Sequence, residues 1–101
     1  GGLVGVNTTG SEVVNNFLLK QNYPNPFNPV TTIKYELKSS DFIQIKVYDV
    51  LGSEVAQLVN EKQSSGAYEI KFDGSSLSSG VYFYKLTSND FSEVRSMILL
   101  K

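Results

Sequence analysis

The sequence predicts an all-β domain, a sandwich of seven short antiparallel strands. Three observations carry that prediction. Apolar residues recur at every second position in runs of about seven, and turn residues separate those runs at short intervals. No window holds the i, i+3, i+4, i+7 spacing of a buried helix face without a Gly, Pro or polar interruption. The chain has 101 residues, with 41% hydrophobic and 12% aromatic content, enough to fill one core.

Residues 1–16 are rich in Gly, Asn, Thr and Ser and hold no sustained period, which reads as a flexible linker from a preceding cargo domain. The domain itself is expected over 17–101. The composition changes at Phe17, and 17–21 reads as an opening strand. In 31–37, Ile33, Tyr35 and Leu37 alternate with Thr32, Lys34 and Glu36. In 42–50, Ile43, Ile45 and Val47 share the inward parity, and Leu51-Gly52-Ser53 turns the chain with Gly52 placed for a positive φ. The stretch 54–59 is apolar on both parities, which means full burial or a bulge. A polar loop is expected over 61–66. In 67–73, Tyr68, Ile70 and Phe72 point inward; a loop follows over 74–80, with Leu77 plugging the end of the core. In 81–87, Tyr82, Tyr84 and Leu86 oppose Val81, Phe83 and Lys85. Ser88-Asn89-Asp90 makes a tight hairpin into a last strand over 91–101. Seven such strands cannot each bury a face alone, so two sheets must pack together as an immunoglobulin-like β-sandwich.

Composition excludes several functions. There is no His, Cys or Trp, which removes the usual proton shuttle near neutral pH, thiolate nucleophiles and the common zinc ligand sets. Asp49 and Asp73 end strands, where turn chemistry explains them, and nothing in the sequence brings them together as an acid/base pair. The sequence thus implies no enzyme, cofactor or metal. Net charge is −1 and the basic residues are scattered, so no stripe competes for nucleic-acid phosphates. The opening Gly1-Gly2-Leu3-Val4-Gly5 does not read as a signal peptide, so an export signal would lie on a longer parent chain.

Two segments stand apart. Tyr23-Pro24-Asn25-Pro26-Phe27-Asn28-Pro29 contains all three prolines. Each fixes φ and lacks a ladder donor, so the segment cannot lie in mid-sheet. It reads as a rigid corner carrying the chain between sheets, with Tyr23 and Phe27 packed at its ends, or else as a polyproline-like docking peptide; spacing favours the corner. In the last strand Val94, Ser96, Ile98 and Leu100 share one face and Arg95, Met97, Leu99 and Lys101 the other. An apolar run on both faces fits a strand covered on both sides. At a sheet edge the same run is a template for another chain, including a second copy in a weak homodimer.

Several motifs in order resemble a known family. The stretch from Phe17 through Pro29, the T-x-I-x-Y-x-L of 31–37, Val47-Tyr48-Asp49-Val50-Leu51-Gly52, Leu77-Ser78-Ser79-Gly80-Val81-Tyr82-Phe83-Tyr84 and Arg95-Ser96-Met97-Ile98-Leu99-Leu100-Lys101 resemble type A C-terminal sorting domains of the type IX (Por) secretion system. The resemblance implies a β-sandwich and a non-catalytic role. It implies a label on cargo of Bacteroidetes-type bacteria that crosses the periplasm and is passed through the outer membrane. The implied partners are the translocon, an outer-membrane shuttle protein and a sortase-like protease that removes the domain, leaving the cargo at the cell surface or secreted. Tyr23, Pro24, Asn25, Pro26, Phe27, Asn28 and Pro29 carry over as the entry motif, and Tyr48, Asp49, Gly52, Gly80 and Tyr82 as further structural positions. Arg95, Met97, Leu99 and Lys101 are the expected recognition edge. Ser96 departs from the family pattern, in which a Lys often follows the Arg. The rival reading is a carbohydrate-binding or fibronectin-like spacer module. Six Tyr and six Phe supply stacking surface, but only Phe83 and Tyr48 fall on the outward parity.

Overall fold

A computed structural model describes residues 16–101. The linker expected over 1–16 therefore lies, apart from Asn16, outside the described residues. Seven strands follow one another: β1 (Leu18–Leu19), β2 (Val30–Leu37), β3 (Asp41–Tyr48), β4 (Glu54–Gln63), β5 (Gly66–Asp73), β6 (Gly80–Thr87) and β7 (Ser92–Leu99). They form a three-stranded sheet in the order β1-β2-β5 and a four-stranded sheet in the order β4-β3-β6-β7, every strand pair antiparallel. This is the sandwich that the alternation predicts.

The inward parities close the core between the sheets. Ile33, Tyr35 and Leu37 from β2 meet Ile43, Ile45 and Val47 from β3, with Tyr82, Tyr84 and Leu86 from β6 and Met97 and Leu99 from β7. Burying a side chain of this size contributes about 1.5–3 kcal/mol, so the core supplies the main driving force. Buried phenols find partners: Tyr84 Oη donates to Lys20 O at 2.6 Å, and Tyr35 Oη to Gln63 Oε1 at 2.8 Å.

Two expectations change, and an open alternative is decided. The opening strand is two residues long, not five, because a polar and proline-rich stretch follows Lys20. The polar loop over 61–66 does not exist as such: β4 runs through Glu61 and Lys62 to Gln63, its backbone paired to β3 while those side chains face solvent. Residues 54–59, apolar on both parities, are bulged rather than sealed on both faces; the register against β3 shifts between Ile45 and Lys46 and again between Val47 and Tyr48.

The proline segment also departs from the corner reading. β1 and β2 lie in the same sheet, so residues 20–29 do not carry the chain between sheets. They leave the three-stranded sheet, touch β7 and return. All three X–Pro bonds are cis.

Gly74, which the sequence reading did not single out, sits where this segment, β5 and β7 meet. A Cβ there would lie 3.1 Å from Leu99 Cδ2 and 3.3 Å from Phe27 Cε2. Gly74→Ala is therefore expected to lower stability by about 1–2 kcal/mol through overpacking, read as a lower urea midpoint at unchanged slope.

Candidate recognition surface

The motif segments, scattered along the chain, come together at one end of the sandwich. The register brings Gly80 opposite Leu99, Val81 opposite Ile98, and Phe83 opposite both Ser96 and Tyr48. The turn after β3, the start of β6 and the end of β7 thus lie side by side, and the proline segment joins them.

That segment is folded on itself by a buried polar group. Asn22, 2% exposed, donates through Nδ2 to Pro24 O (3.1 Å) and Thr31 Oγ1 (2.9 Å), and accepts from Gln21 Nε2 (2.7 Å). Thr31 Oγ1 donates to Pro24 O at 2.8 Å. A proline-rich stretch lacks backbone donors, so side chains supply them. Its two aromatic residues then separate. Phe27 is 2% exposed and lies edge-on to Phe72, with ring centroids 6.0 Å apart. Tyr23 is 81% exposed, against the expectation that it packs. Pro24, Asn25, Pro26 and Asn28 are exposed and Pro29 is half-buried.

The segment docks on β7 by backbone groups. Phe27 N donates to Ile98 O and Leu100 N donates to Phe27 O, both at 2.9 Å, forming a parallel bridge between Phe27 and Leu99. Asn25 Oδ1 accepts from Ile98 N at 2.9 Å, and Gln21 Nε2 donates to Ser96 O at 2.7 Å. Further along, side chains replace a ladder. Arg95 Nε donates to Leu19 O at 2.9 Å, and Glu93 Oε1 accepts from Leu19 N at 3.4 Å. The pair Glu93–Arg95, itself 3.3 Å apart, thus binds both backbone groups of Leu19 as an adjoining strand would. β7 is terminal in its sheet, yet residues 19–27 cover its outer edge from Arg95 to Leu100.

The residues of the expected recognition edge are placed unevenly. Met97 and Leu99 are fully buried in the core, because the parity they share with Arg95 is the inward one. Neither side chain can meet a partner of the folded domain. Arg95 is spent on Leu19 and Glu93. Strand addition on β7, by machinery or by a second copy, finds the edge already occupied. The outward parity instead carries Val94, Ile98 and Leu100, 52%, 39% and 54% exposed.

Lys101 is on the surface but tethered. Its N donates to Ser79 Oγ at 2.9 Å, and its Nζ donates to Ser75 O (2.7 Å) and Leu77 O (2.8 Å), fastening the end of the chain to the β5–β6 loop. In the same loop, hydrogen bonds from Ser75 hold the Asp73 carboxyl below its usual range, with a smaller contribution from the Lys101 ammonium. Gly80 opens β6 at φ +156° and Tyr82, buried, donates from Oη to Ser78 O at 2.7 Å.

The turn after β3 is held by Asp49, whose Oδ1 accepts from Leu51 N (2.9 Å) and Ser53 N (3.0 Å), with Gly52 at φ +85°. This leaves Val50 and Leu51 67% and 87% exposed at the tip. Tyr48 and Phe83, both half-buried, connect that tip to Val81, Ile98 and Leu100 across the outer face of the four-stranded sheet. The result is an apolar strip along the outer face of the four-stranded sheet, the kind of patch that marks a protein contact.

A family model described as the secretion system C-terminal sorting domain matches residues 21–100. The chain belongs to that family. It is a C-terminal secretion signal domain of the type IX system. No curated protein sequence matches the chain. Among solved structures, it resembles part of PorZ, described as an essential bacterial surface component of the type IX secretion system of Porphyromonas gingivalis. The TM-score is 0.55 at 19% identity, covering 91% of this chain and 12% of PorZ. The chain thus spans a small fraction of PorZ, and at that identity the likeness bears on the sandwich fold alone. Sorting-domain motifs and an apolar strip now stand at the same end of one sandwich.

Proposed function

We propose that the outer face built by Val81, Ile98 and Leu100, with the Val50–Leu51 tip beside it, is the surface by which this sorting domain engages the type IX translocon or its outer-membrane shuttle. The observation that supports this reading is convergence: three of the segments that carry the family motifs meet at that end, and Val50, Leu51, Val81, Ile98 and Leu100 from them are exposed there. Burial of apolar area supplies the affinity, and flanking polar groups fix orientation. Phe27, Arg95, Met97, Leu99 and Lys101 act upstream of contact, by holding the strip in shape. The domain is a non-catalytic label. Its cargo precedes residue 17, and a sortase-like protease cuts in the polar stretch 8–16 after passage from the periplasm to the cell surface or medium.

The test fuses residues 17–101 to an exported fluorescent reporter in a type IX-competent host. The intact fusion is expected outside the cell. The exposed substitutions Ile98→Lys and Leu100→Lys leave the unfolding free energy in urea within about 0.5 kcal/mol of the parent and hold the reporter in the periplasm. Secretion of both variants would move the docking face elsewhere. Retention of the intact fusion would overturn the labelling role of these residues, and tight binding to a polysaccharide would favour the spacer reading.

A further inference from the structure

We propose that the edge of β5 is a homotypic pairing surface, on which a second copy of this chain adds antiparallel about a two-fold axis at Ile70. The proposal goes beyond the sorting role and uses a different side of the molecule.

Among the described residues, β7 is covered by residues 19–27, and β1 is two residues long with Leu19 already bound to Glu93 and Arg95. β4 is broken by two register shifts, which disrupt a regular edge and discourage pairing. β5 remains: eight residues paired to β2 without a register shift and carrying no strand on its other side.

Hydrogen-bond parity decides which groups that edge presents. Thr32 exchanges both backbone bonds with Tyr23, and Lys34 O accepts from Lys20 N, so the even-numbered residues of β2 turn their backbone toward β1. The odd-numbered ones turn toward β5. With Ile33 opposite Ile70 and Tyr35 opposite Tyr68, the even residues of β5 bond to β2. Ala67, Glu69, Lys71 and Asp73 therefore direct their N–H and C=O groups off the sheet.

Two copies can exchange bonds only if odd residues oppose odd residues. Centred on Ile70, Glu69 faces the partner's Lys71 and Lys71 faces the partner's Glu69, with Ala67 opposite the partner's Asp73. Opposite charges directly across an antiparallel pair attract, and like charges repel. The neighbouring in-phase registers fail this test. One sets Glu69 against the partner's Glu69; the other sets Lys71 against the partner's Lys71 and Glu69 against the partner's Asp73. Neither Glu69 nor Lys71 belongs to an ion pair among the described residues, so both are available. On the inner face Ile70 meets the partner's Ile70 and Tyr68 the partner's Phe72. Tyr68 and Ile70 are only half-buried in the single chain, so pairing covers them further. Charges on an edge strand ordinarily repel other strands. Here their order Glu-x-Lys admits one register and rejects its neighbours.

The β5 edge lies across the sandwich from the β7 seam, so the paired form leaves Ile98 and Leu100 exposed. The partner is a second sorting domain, which means two cargoes presented together.

Sedimentation equilibrium of the chain over a concentration series tests this. A monomer–dimer equilibrium is expected, weakened by salt because the ion pairs are exposed. Glu69→Lys and Lys71→Glu each turn both attractive pairs repulsive and raise the dissociation constant about tenfold; the double exchange restores it. The chain has no cysteine, so Ile70→Cys reports the axis directly. A pair of residues not joined by backbone bonds sits about 4.5 Å apart at Cα, within reach of a disulfide. This variant should cross-link under mild oxidation faster than Lys62→Cys on the edge of β4. A monomer at every concentration, no rescue by the double exchange, or equal cross-linking at the two positions would each overturn the proposal.

Discussion

Phe27→Ala is expected to destabilise the domain severely, whereas Tyr23→Ala, four residues away in the same proline segment, changes stability by less than about 0.5 kcal/mol. Truncating a buried Phe costs about 3–5 kcal/mol through lost transfer energy and the cavity left behind. A domain of this size holds about 0.05–0.15 kcal/mol per residue, so that loss takes a large part of its margin. The Phe27 ring packs edge-on to Phe72 and lies beside Gly74, and its backbone bridges Ile98 and Leu100. Removing the ring therefore loosens the segment that covers β7 as well as the core beneath it. Urea denaturation of the two variants against the parent checks the contrast. Equal, small effects would mean that the backbone bridge alone holds the segment. A reporter carrying Phe27→Ala should stay in the periplasm, for want of a folded strip rather than of a contact residue.

The second large effect is an alkaline loss of stability that belongs to Tyr84. Burial of its phenol pushes the pKa up to about 12 from an ordinary value of 10.0, because the ionised ring would sit in the core. The unfolded chain ionises this Tyr near pH 10, and the folded chain resists until about pH 12. The folded state is thus fully favoured below pH 10 and loses stability as pH rises through that interval, by about 2–3 kcal/mol in all. Tyr35, raised in the same direction chiefly by burial, adds to the slope. Tyr84→Phe costs about 1 kcal/mol at neutral pH for the lost bond to Lys20 O, and should flatten most of the alkaline decline. Guanidinium midpoints between pH 8 and 12 give the measurement; an unchanged alkaline slope in Tyr84→Phe would assign the effect elsewhere.

Strand positions and inward parities could be read from the sequence because each strand buries one face, and burial forces alternation. Ile33, Tyr35 and Leu37, or Tyr82, Tyr84 and Leu86, leave little choice of register. The seam between β1 and β7 could not be read that way. Glu93, Arg95, Gln21 and Asn25 act by reaching backbone groups more than 70 residues away, and polar side chains at such separations carry no periodic signal. The same gap left the inward side of the last strand undecided. Arg95, Met97, Leu99 and Lys101 share a parity, but parity does not say which side is inside. The family resemblance marked the last strand as important without separating contact from support. Met97 and Leu99 lie in the core. Gly74 escaped notice because its role is a close approach by Phe27 and Leu99, which sequence distance conceals.

The seam has a further consequence for the order in which the domain can fold. Leu19 is among the first residues of the domain to be synthesised, and its partners Glu93 and Arg95 are among the last, 74 and 76 positions later. Until β7 emerges, β6 has no neighbour on that side, Phe27 lacks its bridge to Leu99, and Leu19 lacks its side-chain partners. Such distant pairings must await nearly the whole length of the domain before they return any energy. A nascent or prematurely terminated chain therefore displays an unsealed sheet, open to proteases and chaperones. The closed seam therefore distinguishes a finished domain from an unfinished one.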